Sequence, residues 1–254
     1  MLIDTHCHLY LPEFKADLPD VIARAADAGV EKFYLPAIDS TVIGNMMELE
    51  AAYPASCFCM MGLHPCSVKE NWQEELALAE SWLGRRKFAA IGETGLDFYW
   101  DRTFEQQQYA SFHRQLEWGI HYNLPVVIHA RDSIDQCIDS VKQHRNSRLR
   151  GIFHCFTGNY EQALQIIDTG FHLGIGGVLT YKNSGLAASL KEIPLEHLVL
   201  ETDAPYLSPV PFRGKRNESS YLEHIAARLA DIKNIPREAV EAATTANAEK
   251  IFGT

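Results

Sequence analysis

Leu2-Ile3-Asp4-Thr5-His6-Cys7-His8 opens the chain as a short apolar run that ends in His-x-His. On a β-strand, alternate residues point to the same face. Both imidazoles therefore leave the strand end together, as two ligands of one metal do, while Cys7 points to the opposite face and into the core. Read alone the triplet is a weak signal, because a bare His-x-His is more often incidental than metallated. Its meaning depends on whether other strand-like runs end in the same way.

Seven further runs have β character: 32–37, 57–63, 88–93, 125–129, 151–154, 171–175 and 197–203, with 2–8 as the first. Several are apolar on both sides of the pleat, the mark of parallel strands buried on both faces. Helical patterns fill the gaps. Residues 17–28 are amphipathic and stop at Gly29, a natural C-terminal cap. Asp39 or Ser40 is expected to cap a helix running to Tyr53. Further helices are expected over 104–122 and over 160–169, the latter ending before Gly170, while 221–233 and 237–252 complete an outer ring. Eight strands with helices between them predict a TIM (β/α)8 barrel rather than an open doubly wound sheet. No Gly-rich phosphate loop follows the first run, which counts against a dinucleotide fold. The length of 254 residues matches the ~250 typical of one such barrel, and no linker divides it, so residues 1–254 read as a single domain.

Hydrophobic residues make up 46% of the chain and charged residues 22%, enough for a large core and against disorder. The formal net charge is −10. Bulk electrostatics then repel a nucleic acid, so a phosphodiester substrate needs metals and a local basic patch. The six cysteines include no CxxC pair and read as reduced thiols of a cytoplasmic protein. The Met-Leu-Ile-Asp start has no basic n-region, which argues against a signal peptide. No apolar run approaches the ~20 residues of a membrane span. A monomer is expected.

The ends of these runs carry the chemistry. The first ends at His6 and His8, the fourth at Glu93, the fifth at His129, the sixth at His154 and the eighth at Asp203. The C-terminal strand ends of a barrel converge on one mouth. Six ligands are too many for one catalytic zinc, which usually takes three from the protein. They suit two metals, with Glu93 as the bridge because a carboxylate can hold one ion with each oxygen. His6, His8 and Asp203 complete one ion, and His129 and His154 the other. Mixed nitrogen and oxygen ligation fits Zn, Mn, Fe, Co or Ni and allows Mg. Such a pair polarises a phosphoryl or carbonyl oxygen and activates water, and Asp203 is the carboxylate placed to take the water's proton.

These motifs, with Gly62-Leu63-His64-Pro65, Gly92-Glu93-Thr94-Gly95-Leu96-Asp97, Ile128-His129-Ala130-Arg131, His154-Cys155-Phe156-Thr157-Gly158 and Glu201-Thr202-Asp203-Ala204-Pro205-Tyr206-Leu207, resemble the TatD family of metal-dependent hydrolases. The likeness begins at residue 3 and runs in order to Arg213-Gly214-Lys215-Arg216-Asn217-Glu218, returning at Thr245-Ala246-Asn247-Ala248. It implies an amidohydrolase-like barrel, a divalent-metal site built from the six residues above, and a deoxyribonuclease that trims single-stranded DNA from the 3′ end. Some relatives resemble D-aminoacyl-tRNA deacylases. Ser219 departs from the pattern, where proline is expected after Asn217-Glu218, and this bears on the shape of that loop.

Other residues near the mouth have two readings each. His64 touches a substrate phosphate or orients a ligand. Asp97 hydrogen-bonds a metal histidine or serves its loop, and Glu201 supports Asp203 or is an ordinary strand acid. Arg131, Lys182, Arg213 and Lys215 bind phosphates or are solvated loop cations. Tyr99, Trp100 and Tyr206 stack on bases or pack a lid. Two other functions compete with the nuclease: hydrolysis of a small ester, amide or phosphoester, and a metal-stabilised scaffold without catalysis.

Overall fold

The apolar runs become eight parallel strands: β1 (Leu2–Asp4), β2 (Val30–Leu35), β3 (Cys57–Cys59), β4 (Ile91–Asp97), β5 (Val126–Arg131), β6 (Gly151–Phe153), β7 (Phe171–Ile175) and β8 (Leu198–Leu200). They are seen in a computed structural model that describes residues 1–144 and 148–253. β1, β2 and β3 pair in order, as do β4 through β8. A single bridge between Met61 and Ile91 joins the two sets. The ring closes where the Thr5 N–H donates to Leu200 O (3.1 Å) and the Asp203 N–H to His6 O (2.9 Å). The result is a TIM barrel.

Nine helices surround it among the described residues: α1 (Leu18–Asp27), α2 (Ile43–Ala52), α3 (Trp72–Leu83), α4 (Glu105–Tyr122), α5 (Ile134–Gln143), α6 (Tyr160–Asp168), α7 (Leu186–Leu190), α8 (Leu222–Lys233) and α9 (Arg237–Phe252). None is long and apolar enough to cross a membrane. α9 packs on β1 and β8. There the Asn247 amide donates to the carbonyls of Leu195 and Leu198, and the Thr245 hydroxyl to that of Met1. The Thr245–Asn247 motif thus ties the last helix to the ends of the first and last strands.

The structure corrects several sequence-based boundaries. α3, α5 and α7 occupy gaps that the periodicity left unassigned. α2 begins at Ile43, not after Asp39 or Ser40. Asp39 instead accepts from the Thr41 N–H and hydroxyl and from the Ser67 hydroxyl, closing a turn ahead of the helix. The regular ladder of β1 stops at Asp4, so His6 and His8 lie beyond the strand. Their segment is still held from both sides, because Cys7 N–H donates to Tyr34 O and His8 N–H to Ala204 O.

β4 runs further than expected, to Asp97, and its register against β5 shifts between Ile91 and Thr94. Such irregularities re-aim side chains, and this one contains Glu93. Beyond it Gly95 faces His129 across the ladder with φ +135°, and an added Cβ would lie 2.0 Å from the His129 carbonyl oxygen. No L side chain fits there. We expect Gly95→Ala to lower stability by about 3 kcal/mol. Urea unfolding checks this, and an unchanged midpoint would contradict the close approach of the strands.

Candidate metal centre

Each ligand-bearing segment is fixed by backbone and buried side-chain bonds before any ion is considered. Asp4, fully buried, accepts from the Thr202 N–H (2.9 Å), the Thr202 hydroxyl (2.5 Å) and the Ser219 hydroxyl (2.6 Å). Burial still pushes its carboxyl up to about 6 against those donors. These bonds lock the loop after β8 to the segment after β1. The serine that stands where proline was expected supplies one of them. Asn217, also buried, donates to the carbonyls of Thr202 and Tyr206. Between these clamps Asp203 adopts φ +57°, a left-handed conformation that Asp tolerates better than most residues.

Two glutamines of α4 do the same for the opposite wall. Gln115 accepts from the Leu63 N–H (2.8 Å) and donates to the Leu63 carbonyl (3.1 Å), just ahead of His64. Gln108 accepts from the Asp97 N–H and donates to the Asp97 carbonyl. They satisfy backbone groups where β3 and β4 part. The sequence marks both only as residues of the helix expected over 104–122. The available signal was their spacing of seven, which puts two amides on one helix face, alongside Ser111 and Leu116.

Glu93 is the centre of the site. Its Oε2 lies 3.2 Å from His6 Nε2 and 3.7 Å from His8 Nε2. Its Oε1 lies 2.9 Å from His129 Nδ1, 3.0 Å from His154 Nε2 and 3.3 Å from His64 Nε2. Asp203 Oδ1 lies 3.7 Å from His6 Nε2 and 3.5 Å from His8 Nε2. All six residues singled out from sequence are therefore together. Three donor groups could hold an ion: His6, His8 and Asp203; His6, Glu93 and His154; and His64, Glu93 and His129.

The hydrogen bonds around the rings decide which nitrogens carry lone pairs. Tyr10 donates its hydroxyl proton to Pro36 O, so His8 Nδ1 must donate to Tyr10 (2.7 Å) and Nε2 keeps its lone pair. His129 Nε2 faces Asp97 Oδ2 at 2.8 Å and donates to it, leaving the lone pair on Nδ1. His154 Nδ1 faces Glu201 Oε1 at 3.3 Å without hydrogen-bond geometry, and its Nε2 faces Glu93. In each case the ring nitrogen that faces a carboxylate oxygen can hold either a proton or a metal ion, and His6 Nε2 stands 3.3 Å from His8 Nε2. Imidazole nitrogens and carboxylate oxygens that converge in this way are ligands that divalent metals take. The donor set fits divalent metal on this ground. His64 differs. Its Nδ1 accepts from the Cys66 N–H (3.0 Å), so Nε2 carries the proton and donates to Glu93 Oε1.

The electrostatics agree. Burial alone would raise the Glu93 carboxyl, but the imidazoles of His64, His154 and His6 overcome it and hold it well below the usual carboxylate range. Burial would lower His154, but Glu93 and Glu201 lift it well above the ordinary imidazole value. Asp97 is held down to about 2: burial opposes ionisation, and the His129 bond with the N–H groups of Trp100 and Tyr99 outweighs it. The centre is a buried carboxylate among imidazoles of two kinds: His64, His129 and His154 are raised above the ordinary imidazole value, while burial and the neighbouring His154 lower His6.

Other sequence expectations fall differently. Glu201 faces His154 and accepts from the Cys155 N–H, with no contact to Asp203. The left-handed turn at Asp203 separates the two acids. His129 and His154, assigned from sequence to one ion, both meet the same Glu93 oxygen but fall in different donor groups. Arg131, His64 and Asp97 line the mouth. Arg213 and Lys215 are outside its lining: Arg213 lies over Tyr181 (4.4 Å) and Lys215 over Phe212 (5.9 Å). Arg216 is committed to Asp17 in a two-pronged pair at 2.7 and 2.8 Å.

Comparison with known proteins supports the same assignment. A family model described as TatD related DNase matches residues 3–253. The chain is 37% identical over 253 residues to YabD of Bacillus subtilis, described as an uncharacterized metal-dependent hydrolase, covering 99% of each. It is 33% identical over 261 residues to YcfH of Escherichia coli, described in the same words, covering 99% of this chain and 95% of that one. The crystal structure of YjjV, a TatD homologue from Escherichia coli, superposes with a TM-score of 0.94 at 31% identity, covering 100% of this chain and 98% of that one. With a closed barrel, a carboxylate-centred donor set and likeness along its whole length, the chain belongs to the TatD family of metal-dependent hydrolases.

Proposed function

We propose that this enzyme is a deoxyribonuclease that removes nucleotides from the 3′ end of single-stranded DNA, with two divalent ions at the mouth. The observation that carries the reading is the division of Glu93: one oxygen faces His6 and His8, the other His129 and His154. We assign His6, His8 and Asp203 to one ion and His129 and His154 to the other, with Glu93 shared. The ions supply polarisation of the phosphoryl oxygens, charge compensation for the attacking and leaving oxygens, and a lowered pKa for water.

The chain's own residues do the rest. Asp203 lines the cavity and keeps 15% of its side chain exposed, against 3% for Glu93. It is the carboxylate that water can reach, and it takes the proton as the water oxygen bonds to phosphorus. The P–O3′ bond breaks, and the departing 3′ oxygen takes up a proton. Asp97 holds His129 in the tautomer described above, and Glu201 places negative charge beside His154. Arg131 places positive charge at the mouth of a chain of net charge −10. A cavity of about 1130 Å³ is larger than the 300–1,000 Å³ common for small ligands, which favours a polymer over a small ester.

Incubation with 5′-labelled single-stranded DNA and Mg or Mn should give a ladder shortening from the 3′ end, and EDTA should abolish it. Absence of cleavage with every divalent ion tried would exclude the nuclease reading. Faster turnover of model esters or lactones than of DNA would replace it with a small-substrate hydrolase.

A further inference from the structure

The exposed aromatic residues are not scattered. Trp100, 68% exposed, follows the end of β4, and Tyr206, 49% exposed, follows the end of β8. In a ring of eight strands these two loops stand opposite one another. Both residues line the cavity that contains Glu93 and Asp203. Neither loop is loose. The Tyr99 and Trp100 N–H groups both donate to Asp97 Oδ1 at 3.1 Å, so the acid that orients His129 also sets the Trp100 turn. The Arg131 guanidinium lies 4.2 Å above the Tyr99 ring and 5.5 Å from that of Trp100. On the other wall the Tyr206 carbonyl accepts from buried Asn217, and its ring stands 6.1 Å from His8.

Both rings stand on loops whose backbone is fixed by these bonds, and both line the cavity that contains the metal centre. Their faces suit planar ligands, and stacking on aromatic rings is the sequence-tolerant way to hold unpaired bases. Arg131, the cation that lines the cavity among the described residues, fits a phosphate and can itself stack. We propose that Trp100 and Tyr206 are two base-stacking platforms on opposite walls of the mouth. They seat the bases on either side of the scissile phosphate and so select unpaired strands. The proposal rests on the nucleic-acid reading of the site, and its test separates the two.

Binding of a short phosphorothioate oligothymidylate to the metal-loaded protein can be followed by fluorescence anisotropy. Trp100→Ala and Tyr206→Ala should each weaken it on the order of tenfold, with circular dichroism confirming the fold. Leu78→Ala, on the outer helix α3, should keep wild-type affinity. An abasic residue at the terminal or the penultimate position should erase the effect of one substitution and leave the other intact. Both variants binding within twofold of wild type would overturn the proposal, as would losses that ignore where the abasic residue lies. If oligonucleotide binding responds as expected but no DNA is cleaved, the platforms stand and the nuclease reading falls. If DNA is cleaved and both variants bind normally, the reverse holds.

Discussion

Glu93→Gln should leave a folded barrel that binds less metal and has lost nearly all of its hydrolytic activity. The amide keeps the shape of the carboxylate and removes its charge. It presents one oxygen and one N–H group where Glu93 presents two oxygens to imidazoles at 2.9–3.7 Å. An N–H group cannot serve a cation, so one of the two proposed sites would lose its shared ligand. Loss of one ion removes several kcal/mol of charge stabilisation, and we expect the rate to fall by at least about 10³-fold. Metal content per chain measured on untreated protein, beside turnover of labelled DNA, checks both halves of the expectation. A variant with wild-type metal content and rate would remove Glu93 from the centre of the mechanism.

Asp203→Asn should separate catalysis from assembly. An amide oxygen remains to face His6 and His8, and the loop is still clamped by Asp4 and Asn217. What would disappear is the proposed proton acceptor. General-base contributions are typically 10²–10⁴-fold, so kcat should drop by about 10³-fold while metal content changes much less than in Glu93→Gln. Parallel determination of kcat, KM and bound metal for the two variants decides this. A loss of metal as large as that of Glu93→Gln would make Asp203 a ligand alone, and an undiminished kcat would move the proton to another group.

The two substitutions also show how unevenly the site can be read from sequence. The six donors were legible because each is a local feature: a His, Glu or Asp at the end of an apolar run, with the barrel bringing the ends together. Glu201 was not legible in the same way. Its place two residues before Asp203 suggests a partner for that acid, yet it faces His154. Arg216, in the basic run near the mouth, is spent on Asp17 of a segment almost two hundred positions away. Gln108 and Gln115 carry no local mark of their role beyond their spacing on α4.

By itself the sequence determined the fold class, the six side chains that converge at the centre and the end of the barrel at which they meet, since strand periodicity and apolar runs depend on neighbouring residues. Tertiary structure alone decided which ring nitrogens face the centre, that His64 turns its Nε2 to Glu93, that Arg131 lines the mouth while Arg213 and Lys215 do not, and that Trp100 and Tyr206 line it from the loops after the fourth and eighth strands. The physical reason is that a hydrogen bond or an ion pair depends on ångström-scale distances between residues remote along the chain. Those distances exist only once the ring has closed, when Thr5 and Asp203 join the first strand to the last.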